Sequence, residues 1–84
     1  MKKNNLKIGY VIKQRNGKYG LLVNENIISG RNGYSLIERL SDDLLHIEKR
    51  KYDIIAVYEI EEPMKVNGYL KGKGLKCIWE REGV

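Results

Sequence analysis

Three Asn-Gly dipeptides, at Asn16-Gly17, Asn32-Gly33 and Asn67-Gly68, constrain this chain more than any other feature. A type I′ β-turn needs positive φ at both central residues, and Asn followed by Gly meets that demand at low steric cost. Each pair therefore predicts a hairpin. Their spacing is too unequal for a repeat array, so they read as punctuation between short strands. In 84 residues without a compositional break, that describes one domain over 1–84.

Around the first pair a register can be written down. A two-residue turn at Asn16-Gly17 puts Arg15 opposite Lys18, Gln14 opposite Tyr19, Lys13 opposite Gly20 and Ile12 opposite Leu21. Alternation then gathers Tyr10, Ile12, Tyr19, Leu21 and Val23 on a core face and Lys13, Arg15 and Lys18 on a solvent-facing basic patch. On this reading, exchanging Arg15 and Lys18 for Gln leaves folding stability within about 0.5 kcal/mol, as surface changes usually do.

Further along, Asn24-Glu25-Asn26 predicts a tight turn into the short strand Ile27-Ile28-Ser29. Asp53–Ile60 is β-branched on both faces, which predicts a central strand with Tyr58 in the core. Gly68–Gly74 reads as an exposed basic loop, and Leu75–Arg81 as a last strand with Leu75, Cys77 and Trp79 inward. The segment YSLIERLSDDLLHIE is ambiguous. Ser35 and Glu38 form a capping box and Leu36, Leu40, Leu44 and Ile47 share a helical face, yet Leu36, Glu38 and Leu40 also alternate as in a strand. A short helical turn within Ser35–Leu45 is favoured. The fold expected is mainly β, a small SH3-like barrel of about five short strands with one short helical turn, an open α+β sheet with one helix being the alternative. Residues 1–6 are expected to form a flexible basic N-terminal arm.

Net charge is +5, and it is segregated: residues 1–20 carry six bases and no acid, residues 41–62 carry three bases and seven acids, and residues 63–84 are again basic. If the first and last strands lie together, the basic ends merge into a surface that concentrates anions. AT-rich coding, which enriches Lys, Asn, Ile and Tyr, produces the same bias without selection for binding. No apolar run approaches ~18 residues, so no membrane span is expected and the chain reads as a soluble cytoplasmic protein.

Catalytic chemistry finds little support. Ser41, Asp42 and His46 lie close in sequence but lack an identifiable oxyanion donor. Asp42, Asp43 and His46 lack a fourth metal ligand, and a single cysteine, Cys77, with a single histidine rules out an internal disulfide and a structural zinc site. The expectation is a non-enzyme with no metal and no cofactor. GYLKGKGL falls short of a P-loop, since no Ser or Thr follows its lysine, but converging backbone N–H groups with Lys71, Lys73 and Lys76 could receive an anion. Tyr34 and Tyr69, just after Asn-Gly turns, are placed for base stacking beside bases such as Arg31. The candidate anion or nucleotide site is therefore Lys13, Arg15, Lys18, Arg31, Tyr34, Tyr69, Lys71, Lys73 and Lys76.

The segments GYVIKQRNGKYGLLV, NGYSLIERLSDDLLH, YDIIAVYEI and IWER together resemble small proteins encoded by phages and prophages of low-GC Gram-positive bacteria. The resemblance covers most of the chain but contains no catalytic or ligand motif. It implies an accessory role in the host cytoplasm: regulation, nucleic-acid binding, or evasion of host defence by capturing a signalling nucleotide or an effector protein. Two functions stay open. One is a binding module for nucleic acid or a nucleotide; the other is an inhibitor that docks on a host protein through the acidic segment Asp42–Glu62 or a strand edge. A homo-oligomer is compatible with both.

Overall fold

The structure, a computed structural model, describes residues 1–31, 33–61, 64–66, 69–71 and 74–84. Eight strands are present among them: β1 (Val11–Gln14), β2 (Tyr19–Leu22), β3 (Ile27–Gly30), β4 (Gly33–Leu36), β5 (Ile54–Glu61), β6 (Met64–Val66), β7 (Tyr69–Lys71) and β8 (Gly74–Glu80). Six form one antiparallel sheet in the order β4-β3-β2-β1-β5-β8, and β6 pairs with β7. The mainly β expectation holds, and β5 is an internal strand between β1 and β8 as its apolar faces predict.

The closed SH3-like barrel is not seen. The sheet is open, with β4 and β8 as its edges among the described residues. Residues 37–53 supply the reason. They run from the end of edge strand β4 across one face of the sheet to the start of β5, and so bury the apolar surface that barrel closure would otherwise cover. The core lies beneath this connector: Ile12, Leu22, Ile28, Ile54 and Val57 from the sheet meet Leu40 and Leu44 from above.

The β1–β2 register differs by one residue from the expected one. Val11 pairs with Leu21, Ile12 with Gly20 and Lys13 with Tyr19. Asn16-Gly17 does not make a two-residue type I′ turn. Gly17 N–H donates to Gln14 O at 2.9 Å, Gln14 N–H donates to Lys18 O at 2.8 Å, and Gly17 has φ of 86°. This is the three-residue loop, a turn closed by one left-handed glycine. A one-residue slip exchanges the faces of one strand against the other. Gly20 and Leu22 are buried with Ile12, whereas Tyr19 and Leu21 move to the outer face, where the Tyr19 and Tyr58 ring centroids lie 6.0 Å apart. Tyr58 is correspondingly a half-buried outer-face residue and not a core one.

The ambiguous segment is neither helix nor regular strand. After β4 comes a single 3-10 turn, Ile37–Arg39; Leu40 then bridges His46 around a loop that repeats the geometry of the first hairpin. Ser41 N–H donates to Leu45 O at 2.8 Å, Leu44 N–H donates to Ser41 O at 3.0 Å, and Leu44 takes the left-handed position with φ of 66°. A left-handed leucine costs about 1–2 kcal/mol. Complete burial of the side chain offsets it, because Leu44 is the connector's plug in the core. Of the four residues expected on one helical face, Leu40 and Leu44 are buried and Ile47 is exposed.

Residues 1–6, expected as a free arm, are packed down. Lys3 N–H donates to Asp42 O at 2.9 Å, the Lys3 ammonium donates to Leu40 O at 2.8 Å, Lys2 pairs with Asp43, and Met1 and Leu6 touch the core. The strands β6 and β7 pair antiparallel with each other, Met64 opposite Lys71 and Val66 opposite Tyr69, as a separate two-stranded sheet. Tyr69–Lys71, expected within a loop, is strand; Asn67-Gly68 lies outside the described residues. A register shift opposite Val57 and Tyr58 leaves Cys77 and Leu75 exposed, with Ile78 and Trp79 half-buried against the core.

Candidate ligand-binding groove

The connector does not cover the whole sheet. Between it and the β2–β4 half lies a groove of about 900 Å³, within the range of small-molecule sites. Its floor follows from the pairing register. Gly20 is opposite Gly30, and Gly30 is opposite Gly33, so three adjacent strands place glycine in one row on the connector-facing side. The row is only partly filled. A Cβ at Gly20 would lie 2.5 Å from Ile28 Cγ2, so a core methyl occupies that position, while over Gly33 nothing stands within 4 Å.

Four cations, Lys18, Arg31, Arg39 and Lys49, and one carboxylate, Glu48, line the groove. Arg39 pairs with Glu48. Among the described residues no ion pair engages Lys18, Arg31 or Lys49, so the free charge at the rim is positive. Lys18 follows the β1–β2 turn and Arg31 lies between β3 and β4, at the same end of the sheet. Tyr34, 70% exposed, stands at the edge strand. Across from it, His46 and Tyr52 form an edge-to-face pair with centroids 5.3 Å apart.

The far wall is rigidly built. Asp53 is 2% exposed; its Oδ1 accepts the His46 backbone N–H at 2.7 Å and its Oδ2 accepts Arg15 Nε at 3.2 Å. His46 Nδ1 accepts the backbone N–H groups of Glu48 at 3.1 Å and Lys49 at 2.9 Å. With Nδ1 so occupied, the neutral ring carries its proton on Nε2. Gln14, buried on β1, donates Nε2 to Ser35 Oγ at 3.2 Å at the back of the groove.

The chain matches no protein-family model, no curated protein and no solved structure. Of the residues proposed from sequence, Lys18 and Arg31 come together on the groove; Tyr34 borders it on β4, but it pairs with Ser29 and so alternates to the outer face with Leu21. Arg15 does not join them, because its guanidinium is turned inward to Asp53. Lys13 is on the outer face, its ammonium 5.6 Å from the Tyr19 ring centroid. Lys76 lies on edge strand β8 opposite Glu59. Tyr69 and Lys71 are placed as β7 backbone, and Lys73 lies outside the described residues.

Gln14, Arg39, His46, Lys49 and Tyr52 were not anticipated as site residues. One signal for them existed: glycines at 20, 30 and 33 flank two predicted turns, and a correct register lines them up. Nothing local in the sequence brings the connector above them. Among the described residues no three His, Cys, Asp or Glu side chains converge as metal ligands, and no helix is long and apolar enough to cross a membrane. Ser41 Oγ accepts the Leu45 N–H at 3.3 Å, and His46 Nδ1 is held by backbone, so this pair is committed to local structure.

Proposed function

We propose that this protein is a non-catalytic binding module that holds a phosphate-bearing ligand of nucleotide size in the groove between the sheet and the connector. The observation that carries the reading is the meeting of Lys18, Arg31 and Lys49, all free of ion pairs among the described residues, with Tyr52 around one concave site. Cations beside exposed aromatic rings are the combination that phosphate neutralisation and base stacking require. The rival role, docking on a host protein through the acidic segment, draws less support. Three of that segment's acids, Asp43, Glu48 and Asp53, are already paired with Lys2, Arg39 and Arg15. In the phage-type context suggested by resemblance, such a module would capture a signalling nucleotide or protect nucleic acid.

The test is direct binding of a fluorescent nucleoside triphosphate and of short single-stranded RNA at low salt, with Lys18→Gln/Arg31→Gln as the variant. Affinity is expected to fall at least about tenfold in the double variant with the melting temperature little changed. A steep salt slope would mark a polymer as ligand, a shallow one a mononucleotide. Absence of binding by either probe at low salt, with no nucleotide released from the purified protein, refutes the proposal.

A further inference from the structure

The groove is more discriminating than a basic patch. Over Gly30 an added Cβ would meet only backbone oxygens, Gly33 O at 3.5 Å and Tyr19 O at 3.8 Å, and over Gly33 there is open space. Neighbouring strands lie about 4.8 Å apart, so these two glycines leave a bare peptide floor wide enough for a flat ring. Glycine on a strand can mark a place where another group approaches the backbone closely, and Gly30 and Gly33 do so at the facing ends of β3 and β4. Gly20 shows the rule within this row, since Ile28 fills its space; over Gly30 and Gly33 no side chain of the described residues does so.

Two polar groups on the same lining are left without protein partners among the described residues. Gln14 is 9% exposed, and once its Nε2 has donated to Ser35 Oγ its Oε1 remains as an acceptor. His46 presents Nε2–H as a donor, because both backbone hydrogen bonds are made at Nδ1. Neither is a buried orphan: among the described residues every buried side-chain N or O atom has a partner, so these two atoms are open to solvent in the groove, where a ligand can replace water on them. An inorganic anion at the Lys18–Arg31 rim would leave both groups, and the glycine floor, unused. An apolar ring would use the floor but neither polar group.

We infer that the ligand is a nucleotide whose base lies on the Gly30–Gly33 floor with its polar edge toward Gln14 and His46, while its phosphate meets Lys18 and Arg31. This rests on the phosphate-binding reading of the same groove and adds to it the planar heteroaromatic ring and the residues that read it. Gln14 offers an acceptor and His46 a donor at fixed places, so the order of donor and acceptor along the base edge decides which bases fit.

Calorimetric titration with inorganic pyrophosphate and with each of the four ribonucleoside diphosphates separates the layers. The diphosphates are expected to bind at least about tenfold tighter than pyrophosphate and to differ among themselves. Gly30→Val, a β-compatible residue at an ordinary extended position, fills the floor; it should bring nucleotide affinity down to that of pyrophosphate while leaving pyrophosphate binding intact. Gln14→Leu should reduce the differences among the four bases. Should Gly30→Val fail to fold, Gly30→Ala is expected to give the same ranking with a smaller loss. Nucleotides binding no tighter than pyrophosphate, or a folded Gly30 variant with unchanged nucleotide affinity, overturns the base site and leaves the phosphate reading standing. No binding by pyrophosphate or any diphosphate refutes both.

Discussion

Replacing Arg15 by Gln tests whether the structure has correctly removed this residue from the basic surface. Arg15 Nε lies 3.2 Å from Asp53 Oδ2, with the Asp53 side chain 3% and the Arg15 side chain 30% exposed. Truncation removes one of the two donors that satisfy a buried carboxylate. A hydrogen bond to a charged group contributes about 1.5–3 kcal/mol. Breaking a fully buried ion pair costs about 3–5 kcal/mol, but the guanidinium here is partly solvated and water can reach Oδ2 once it is gone, so the lower range applies. The expected loss is about 1.5–2 kcal/mol, which for a domain of this size lowers the melting temperature by about 6–16 °C at ~4–8 °C per kcal/mol.

Urea unfolding followed by Trp79 fluorescence, with Lys18→Gln as the control, measures the difference. Lys18 is exposed and unpaired among the described residues, and its exchange should stay within about 0.5 kcal/mol. The m-value should not change in either variant. The Arg15 deficit should also persist at 1 M salt, where the screening length is about 3 Å, since the carboxylate is out of reach of counterions. If Arg15→Gln is as silent as Lys18→Gln, the pair with Asp53 does not form, and Arg15 returns to the solvent patch that alternation predicts for it.

Other consequences follow from single contacts. Gly20→Ala puts a Cβ 2.5 Å from Ile28 Cγ2 and should cost about 1–3 kcal/mol; in an Ile28→Ala background the cost should shrink, which a double-mutant cycle measures. The hydrogen bond and charge of Lys2 hold the Asp43 carboxyl below its usual range. Its contribution is therefore complete above about pH 4 and lost as pH falls through the lowered value, so Lys2→Gln should flatten the acid limb of a pH–stability curve. Burial and the adjacent Tyr19 push the Tyr58 phenol up. That contribution is complete below about pH 10 and lost as pH rises through the raised value; in an ultraviolet phenolate titration Tyr58→Phe should remove a late-ionising phenol and reduce the alkaline loss of stability.

Strand positions were the legible part of this fold. The strands β1, β2, β3, β5 and β8, the Asn24-Glu25-Asn26 turn with its Asn24 side-chain caps on Asn26 and Ile27, and the internal place of β5 all follow from turn chemistry and β-branching. Register was not legible, and the reason is visible in YGLLV. Apolar residues occupy both faces of β2, so the two-residue and three-residue loops both close without an obvious misfit. What separates them is a long-range fact, Ile28 of β3 packing over Gly20. Tyr19, Tyr58 and Cys77 were misplaced for related reasons: each sits beyond a one-residue shift that periodicity cannot detect. Arg15 was misread because its partner is 38 residues away.

The connector explains why the site was harder to read than the strands. Residues 37–53 have little regular structure, so their backbone groups need partners from elsewhere. The partners come from both ends of the chain and from β5. The Lys3 ammonium reaches Leu40 O, Arg81 Nη2 reaches Asp43 O at 2.6 Å, and Ile54 N–H reaches Leu44 O at 3.0 Å. The basic termini that suggested an anion surface are thus partly occupied in tying down the connector. Lys18, Arg31 and Lys49, which no ion pair engages among the described residues, lie on the groove. Among the connector's groove residues, Arg39, Lys49 and Tyr52 contribute no buried side chain to the core, and only His46 touches the Asp53 anchor. Substitutions at 39, 49 and 52 can therefore change what the groove binds without unfolding it, whereas changes at Asp53, Arg15 or Leu44 reach the groove only by first loosening the wall.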